Sequence, residues 1–386
     1  VEKYDWMPER VQLPIIDALT KLDGGAVKVI YATVQIVTSI SVNLDMSFPE
    51  PFASIAGKAA FVQLDFLSID CMKGSSYHSN VYATSAFPLV LFVVVFVSYI
   101  FSNCVGYLTG MMNKTKKAQL YSFHFGAFLT ITYLVLPAVA SSQFKGLNCI
   151  QYVNSDEAYL KADTSIDCNG PVHQEFIFRN CLMILAYQMI PVMYVVLLHS
   201  AKDRLNPPDA ADEAEALRKR DEDTSLQPIR FLFIDLRPSR WIHEVVDMYR
   251  RILFISALPL MGTDPAIRAY VGCVISLGSS VYYRETMPYR VPFTNVLGTV
   301  AQYQILFCFL VALVMEGDAA KQFDLTDFYI GMLLMVINLF ILLAALFVGW
   351  LRHQAAVRYA LKIRKKAVKI EWAVETADGV FQEQLE

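Results

Sequence analysis

The sequence predicts an all-α fold, a polytopic transmembrane helix bundle of about eight spans. Two observations carry that expectation. Of the 386 residues, 55% are hydrophobic and only 18% charged, against roughly 45–50% and about 25% in a soluble domain, and mean hydropathy is +0.40. The charges are also bunched. No Asp, Glu, Lys or Arg lies between Lys28 and Asp45, Lys73 and Lys114, Lys117 and Lys145, or Arg179 and Lys202. The same holds between Arg251 and Asp264, Arg268 and Arg284, Arg290 and Glu316, and Asp327 and Arg352. A helix needs about 20 mostly apolar residues to cross the hydrocarbon core. Five of the eight gaps pass that length, the first is marginal, and those after Arg251 and Arg268 are short.

Taken in order, residues 1–25 hold Pro8, Pro14 and an amphipathic stretch at 11–22, and read as a cytoplasmic lead-in. Residues 26–200 carry four spans, at about 26–44, 82–108, 119–143 and 176–199. Pro88, Pro137 and Pro191 fall within them, where neighbouring helices can satisfy the freed carbonyls. The segment 46–82 is too polar to span, with Lys58, Asp65 and Asp70, and is expected as an outer lid at the interface. Residues 201–240 form a cytoplasmic loop, whose mixed-sign run around Arg218-Lys219-Arg220-Asp221 reads as a short solvated helix and linker.

The last four spans occupy 241–351. From Pro238, Trp241, Glu244, Val245, Met248 and Ile252 recur at helical spacing, and Asp247 and Arg251 stand in the favourable i, i+4 order. This is an interfacial coupling helix running into a short fifth span that ends near Pro259 and Gly262. Spans six to eight follow at about 267–283, 293–315 and 326–350. The sixth carries Gly272, Ser276, Gly278, Ser279 and Ser280, small enough for close helix approach. Residues 352–386 are a basic cytoplasmic tail, with Arg352 to Lys369 resting on anionic lipid headgroups. Arg250, Arg251 and Arg284, near the short spans, are expected to reach up to headgroups as well.

Lys and Arg in short loops mark the cytoplasmic side. Lys114, Lys116 and Lys117 put the loop after span two inside, and the Arg-rich 201–240 loop falls there too. The segments 46–82, 145–176, 263–267 and 316–326 then face outward, and both ends of the chain are cytoplasmic. Cys71, Cys149 and Cys168 lie on the outer side, where disulfides persist. Cys149–Cys168 is the expected bridge because they share one loop, with Cys71 the alternative partner. Cys104, Cys181, Cys273 and Cys308 lie in spans as small apolar filler.

Net charge of -3 leaves no basic face for nucleic acid. Phosphate-loop, dinucleotide-turn and His-Glu-x-x-His motifs are absent from the sequence, and its six histidines show no metal-ligand spacing. No cofactor, metal or catalytic residue is therefore assigned, and an enzyme is not expected. No acid falls in the middle of an expected span, which disfavours a proton-coupled pump. The remaining signals are intramembrane amides. Gln302 and Gln304 in span seven and Asn338 in span eight are candidates for a polar pore stripe, or for interhelical hydrogen bonds of about 1 kcal/mol each. Gln302 and Gln304 point about 200° apart on a helix, so only one can face a given axis. Glu316, Asp318 and Asp324 make the loop between them acidic, a feature that attracts cations in channels, although ten residues are too few for a pore helix and filter.

Several blocks resemble one family. They are Lys28 to Ser41 with Phe48-Pro49 and Asp70-Cys71; Tyr159 to Cys168 with His173 and Phe176; and Tyr187 to Leu198. Phe231 to Pro238 with Trp241, Glu244 and Arg250-Arg251, then Pro288-Tyr289, Asn295 and Ala301-Gln302, continue the pattern. Together, over about 26–315, they resemble the transient-receptor-potential-like multipass proteins of algae, oomycetes and protists. Thr164 stands where that pattern has an aromatic, and Asp235-Leu236 matches its block loosely. The resemblance implies a cation-channel-like protein, gated by force or by a Cys-rich, repeat-bearing ectodomain preceding Val1; with both ends of the chain expected in the cytoplasm, such an ectodomain requires one further span before Val1. The expected location is the plasma or ciliary membrane. The expected partners are membrane lipid, an extracellular or ectodomain partner, and other copies or subunits in a homo-oligomer or hetero-complex. Two rival expectations are a non-conducting anchor for a large extracellular filament or adhesin, and a small-molecule transporter.

Overall fold

The computed structural model describes residues 23–59, 76–110, 112–151, 157–316 and 328–340, with single helical positions at 343, 347 and 354. Helices α1 (Gly24–Leu44), α3 (Tyr77–Leu108), α4 (Lys114–Lys145) and α5 (Pro171–Ser200) match the first four expected spans, and α2 (Phe52–Ala59) lies between α1 and α3. Their starts are set by local capping. Ser76 accepts from the Ser79 amide and Asn113 from the Lys116 amide, each satisfying a donor that the first turn leaves orphaned. α1 stops where Asp45 turns left-handed, at φ 56°.

The second half begins with α6 (Glu213–Glu222) and a 3-10 segment, Thr224–Leu232. After a 3-10 turn at Pro238–Arg240, α7 (His243–Ile252) starts five residues later than the sequence suggests. It continues into a π-helical turn, Leu253–Ala257, and a 3-10 turn, Leu258–Leu260. α8 (Pro265–Thr286), α9 (Pro292–Glu316) and α10 (Phe328–Phe340) follow.

Among the described residues, five helices, α1, α3, α4, α5 and α9, are long and apolar enough to cross a membrane. The expected count of about eight is therefore met only in part. The fifth span is replaced by the broken α7–π–3-10 segment, which carries four buried charged side chains. α8 has the length, at 22 residues, but Arg268, Arg284, Glu285 and its small polar residues lower its hydropathy. The expected eighth span runs past Phe340, beyond the continuously described residues.

Two apolar cores hold most of the bundle. One joins α4, α5 and α7 with Leu226, Ile229, Leu232 and Phe233 of the 201–240 loop. The short helix expected there is present as α6 and is exposed on one side, but the loop is not solvated throughout. Its Arg220 is 2% exposed and donates to the carbonyls of Leu236 (2.8 Å) and Phe233 (3.4 Å), fastening α6 over the 3-10 segment. The other core joins α1, α9, α10 and the π turn with Phe48 and Phe52, so the described part of the lid packs on the bundle. α8 and α9 run antiparallel in close contact, as the small residues suggested: Phe309 lies on Gly272 and Tyr283 on Gly298. α3 packs through Asn80, Val81, Thr84, Ser85 and Pro88, whereas Val90, Val93, Phe96, Val97 and Phe101 farther along are exposed.

The all-α expectation also meets one exception. The 145–176 loop folds into a three-stranded antiparallel sheet, β1 (Cys149–Gln151), β2 (Ala158–Leu160) and β3 (Asp163–Asp167). Thr164 and Ile166 are β-branched and suit a strand, and the Cys149–Cys168 disulfide closes the sheet. Cys71, the alternative partner, lies outside the described residues.

Candidate functional site

α7 has apolar residues on one side, Val245, Met248 and Ile252, all buried in the first core. Its charged residues are buried too, on sides facing α1, α4, α8 and α9. Glu244 is 3% exposed, Asp247 6%, Arg250 8% and Arg251 0%. The expectation that Arg250 and Arg251 reach headgroups is wrong for both, because protein covers α7 from several directions. Arg284 is exposed.

Asp247 is the hub. Its Oδ1 accepts from Arg250 Nη2 (2.7 Å) and Nε (3.0 Å) and from the Tyr283 hydroxyl (2.6 Å). The anticipated i, i+4 partner is looser, with Arg251 Nε 3.7 Å from Asp247 Oδ2. Arg251 instead donates to Gln35 Oε1 and to the Tyr133 carbonyl, each at 3.2 Å, and its guanidinium lies 4.0 Å from the centre of the Tyr133 ring. Arg250 also donates to Gln302 Oε1 at 2.8 Å. Lys28, on α1, donates to the Phe231 carbonyl (2.7 Å) and to Glu244 Oε2 (3.3 Å), with Asp235 Oδ2 at 3.5 Å.

Three cations, Lys28, Arg250 and Arg251, thus meet three acids, Asp235, Glu244 and Asp247. Burying such charges is tolerable only when they are paired and hydrogen-bonded. The pairing is incomplete at four atoms. Tyr133 Oη, His243 Nε2, Glu244 Oε1 and Arg251 Nε are buried without a hydrogen-bond partner among the described residues. Each such atom costs about 1–3 kcal/mol, so the cluster's energy is sensitive to whatever reaches these atoms.

A polar face of α1 extends from this cluster. Gln35 Nε2 donates to the Tyr31 hydroxyl (2.7 Å), which in turn donates to the Leu134 carbonyl at 3.1 Å. Farther on, Ser39 is buried, and Asn43 Nδ2 donates to the Phe254 carbonyl in the π turn at 2.8 Å. At the end of α1, Asp45 pairs with Lys161 of the turn between β2 and β3 and with Arg268 of α8. A polar cleft of about 470 Å³ opens there, lined by Asp45, Tyr77, Asn80, Lys145 and Asp163.

Of the residues singled out in the sequence, Gln302, Glu244, Asp247 and Arg251 come together in the charge cluster. Gln304 faces another way and donates to Asn338 Oδ1 on α10. Asn338 also donates to the Leu334 carbonyl at 2.8 Å. Trp241 is half-buried, its ring 6.3 Å from that of His199. Glu316 is exposed at the end of α9, and Asp318 and Asp324 lie outside the described residues. Sequence reasoning missed Lys28, Asp235, Arg250 and Tyr283 as members, and with them the fact that acids are buried within the bundle. The available signal was the 28, 31, 35, 39 and 43 spacing on α1, which places Lys28, Tyr31, Gln35, Ser39 and Asn43 along one helical face. No protein-family model matches the chain, and neither a curated protein nor a solved structure matches it.

Proposed function

We propose that the chain is the membrane-embedded part of a cation-channel-like protein, in which the cluster around Asp247 couples the 201–240 segment to the bundle. The observation that supports this most is the polar face of α1. From Lys28 through Tyr31, Gln35 and Ser39 to Asn43 and Asp45 it offers side chains along the length of one 21-residue helix. Intramembrane ionisable residues face bundle interiors or wet cavities and mark ion paths, relays or sensors. A π turn beside them is a frequent companion of functional sites. In this reading the 201–240 segment is cytoplasmic and the small sheet faces outward. Asp247 and Glu244 hold Arg250, Arg251 and Lys28 in place, and breaking those pairs frees α7 to shift against α1. The proposal assigns no catalytic step.

One observation favours a second reading. Every cation of the cluster has an acid within 4 Å, an arrangement equally suited to a stiff, non-conducting anchor for an extracellular partner.

The two readings separate in planar bilayers. Purified protein is recorded as single channels with and without membrane tension, beside Gln302→Leu, Asn338→Leu and Asp247→Asn. Cation currents whose open probability or conductance changes with Gln302→Leu or Asp247→Asn support the channel. Folded protein that stays silent under voltage and tension, in all four forms, moves the assignment to the anchor.

A further inference from the structure

The sheet end of the molecule holds a second cluster, remote from Asp247. Cys149 and Cys168 form a disulfide, and beside it stands His173, in the first turn of α5 and 1% exposed. Its Nε2 lies 3.8 Å from Cys149 Sγ, and its Nδ1 lies 3.0 Å from Nε2 of His78, in the first turn of α3. The His78 ring stacks on Phe176 at 4.1 Å, which fixes its plane. A disulfide gains little from an imidazole, since sulfur is a weak acceptor. The same atoms are what a thiophilic metal needs. The two sulfurs and a ring nitrogen of His173 lie within 4.8 Å of one another.

Zinc binds thiolate at about 2.3 Å and imidazole at about 2.0–2.1 Å, so a tetrahedral site has a sulfur–nitrogen edge of about 3.6 Å. The 3.8 Å between Cys149 Sγ and His173 Nε2 is near that edge. Once released from each other, the sulfurs need only part to about 3.8 Å. Ligating histidines are held by a partner on the other ring nitrogen, which also sets the tautomer. His78 is so placed: with His173 Nδ1–H donating to His78 Nε2, the lone pair of His173 Nε2 points toward the sulfurs.

We propose that Cys149, Cys168 and His173 form a redox-gated site for a thiophilic divalent cation of the zinc class, oriented by His78 and closed to metal while the disulfide stands. The opening step is thiol–disulfide exchange with a dithiol. One thiolate of the dithiol attacks a protein sulfur, forming a mixed disulfide and releasing the other cysteine as thiolate. The second thiol of the dithiol then attacks the dithiol sulfur of that mixed disulfide and displaces the remaining cysteine as thiolate, leaving a cyclic disulfide and two reduced cysteines. Two electrons pass from the dithiol to the protein. Metal binding displaces two thiol protons, and the fourth coordination position is left to water. Cys149 is partly exposed, which gives the reductant access. Disulfide and metal both close the same loop, with a sequence separation of 19, so the sheet stays fastened to α5 in either state.

The test uses the full purified chain in detergent, reduced with a phosphine that competes weakly for metal, and titrated with Co2+ as an optical probe and then Zn2+. The reduced protein is expected to bind one equivalent with a thiolate-to-cobalt charge-transfer band that Zn2+ abolishes, and the oxidised protein none. The Cys149→Ser/Cys168→Ser double variant removes the band while the other cysteines remain. His78→Gln weakens binding by about 10–100-fold, and it keeps the test decisive if His173→Ala does not fold. The proposal is overturned if the folded protein cannot be reduced, if the oxidised form binds equally, or if the double variant keeps the band.

Discussion

Asp247 receives three donors at 3.0 Å or less, so its replacement by Asn leaves Arg250 and Arg251 buried without their counter-charge. The expected loss is about 3–5 kcal/mol, read as a fall in thermal unfolding temperature in detergent. Tyr283→Phe removes one charge-assisted bond and keeps the ion pairs, for an expected loss of about 1.5–3 kcal/mol. Equal losses from the two variants would refute the hub role. A second residue-scale constraint is Gly331, where a Cβ would collide with the backbone carbonyl of Glu50. Gly331→Ala is expected to lift the Phe48–Phe52 lid off α10, seen as faster hydrogen exchange over 46–59. The individual charges of the cluster were legible in the sequence, but their burial was not. Glu244, Asp247, Arg250 and Arg251 in ten residues resemble a solvated amphipathic face, and only partners distant in sequence, Lys28, Gln35, Tyr133 and Tyr283, show otherwise.

Among the elements, the 201–240 segment departs most from its sequence. Charge density there signals solvent, yet Leu226, Ile229, Leu232 and Phe233 enter the first core, and Arg220 bridges the two behaviours. Arg220→Ala is expected to raise amide exchange across 224–236 while leaving α4 protected. Unchanged exchange would remove Arg220 as the fastener. Solvent does rule the outer side of α6. The Asp209 carboxyl is held below its usual range by its hydrogen bond to Lys219, and that of Glu215 by the Ala211 amide and then Lys219. Carboxyls whose folded values are lowered stabilise at neutral pH, and that contribution fades as pH falls below about 4. Exchange within 209–222 should therefore rise on acidification before the rest of the bundle responds. The long apolar helices were legible because their period and length need no partner to be recognised. The sheet was not, since Cys149–Gln151 and Ala158–Leu160 are only three residues each.

For the whole molecule, the five apolar helices fit a membrane-embedded protein, and the proposed orientation has a direct check. A cysteine introduced at Thr164 is expected to react with an impermeant maleimide in intact cells, and one at Ser225 only after permeabilisation. The opposite pattern would invert the proposed topology. Eight charge-free gaps suggested eight spans, but α7 is only 10 residues long and α8 carries Arg268, Arg284 and Glu285, so neither has the length and apolar content of a span. The π turn at Leu253–Ala257 adds something to this arrangement. It acts as an α-helix with one residue inserted, and the Leu258 amide reaches back five positions to the Leu253 carbonyl. One residue is about 100° of helix rotation. The insertion is a phase shifter: it rephases the chain between the charges of α7 and the residues that follow. α7 can then bury Val245, Met248 and Ile252 in the first core while Leu258, past the insertion, enters the second. Deleting one residue from 253–257 would restore a regular helix and turn Leu258 about 100° away from the second core.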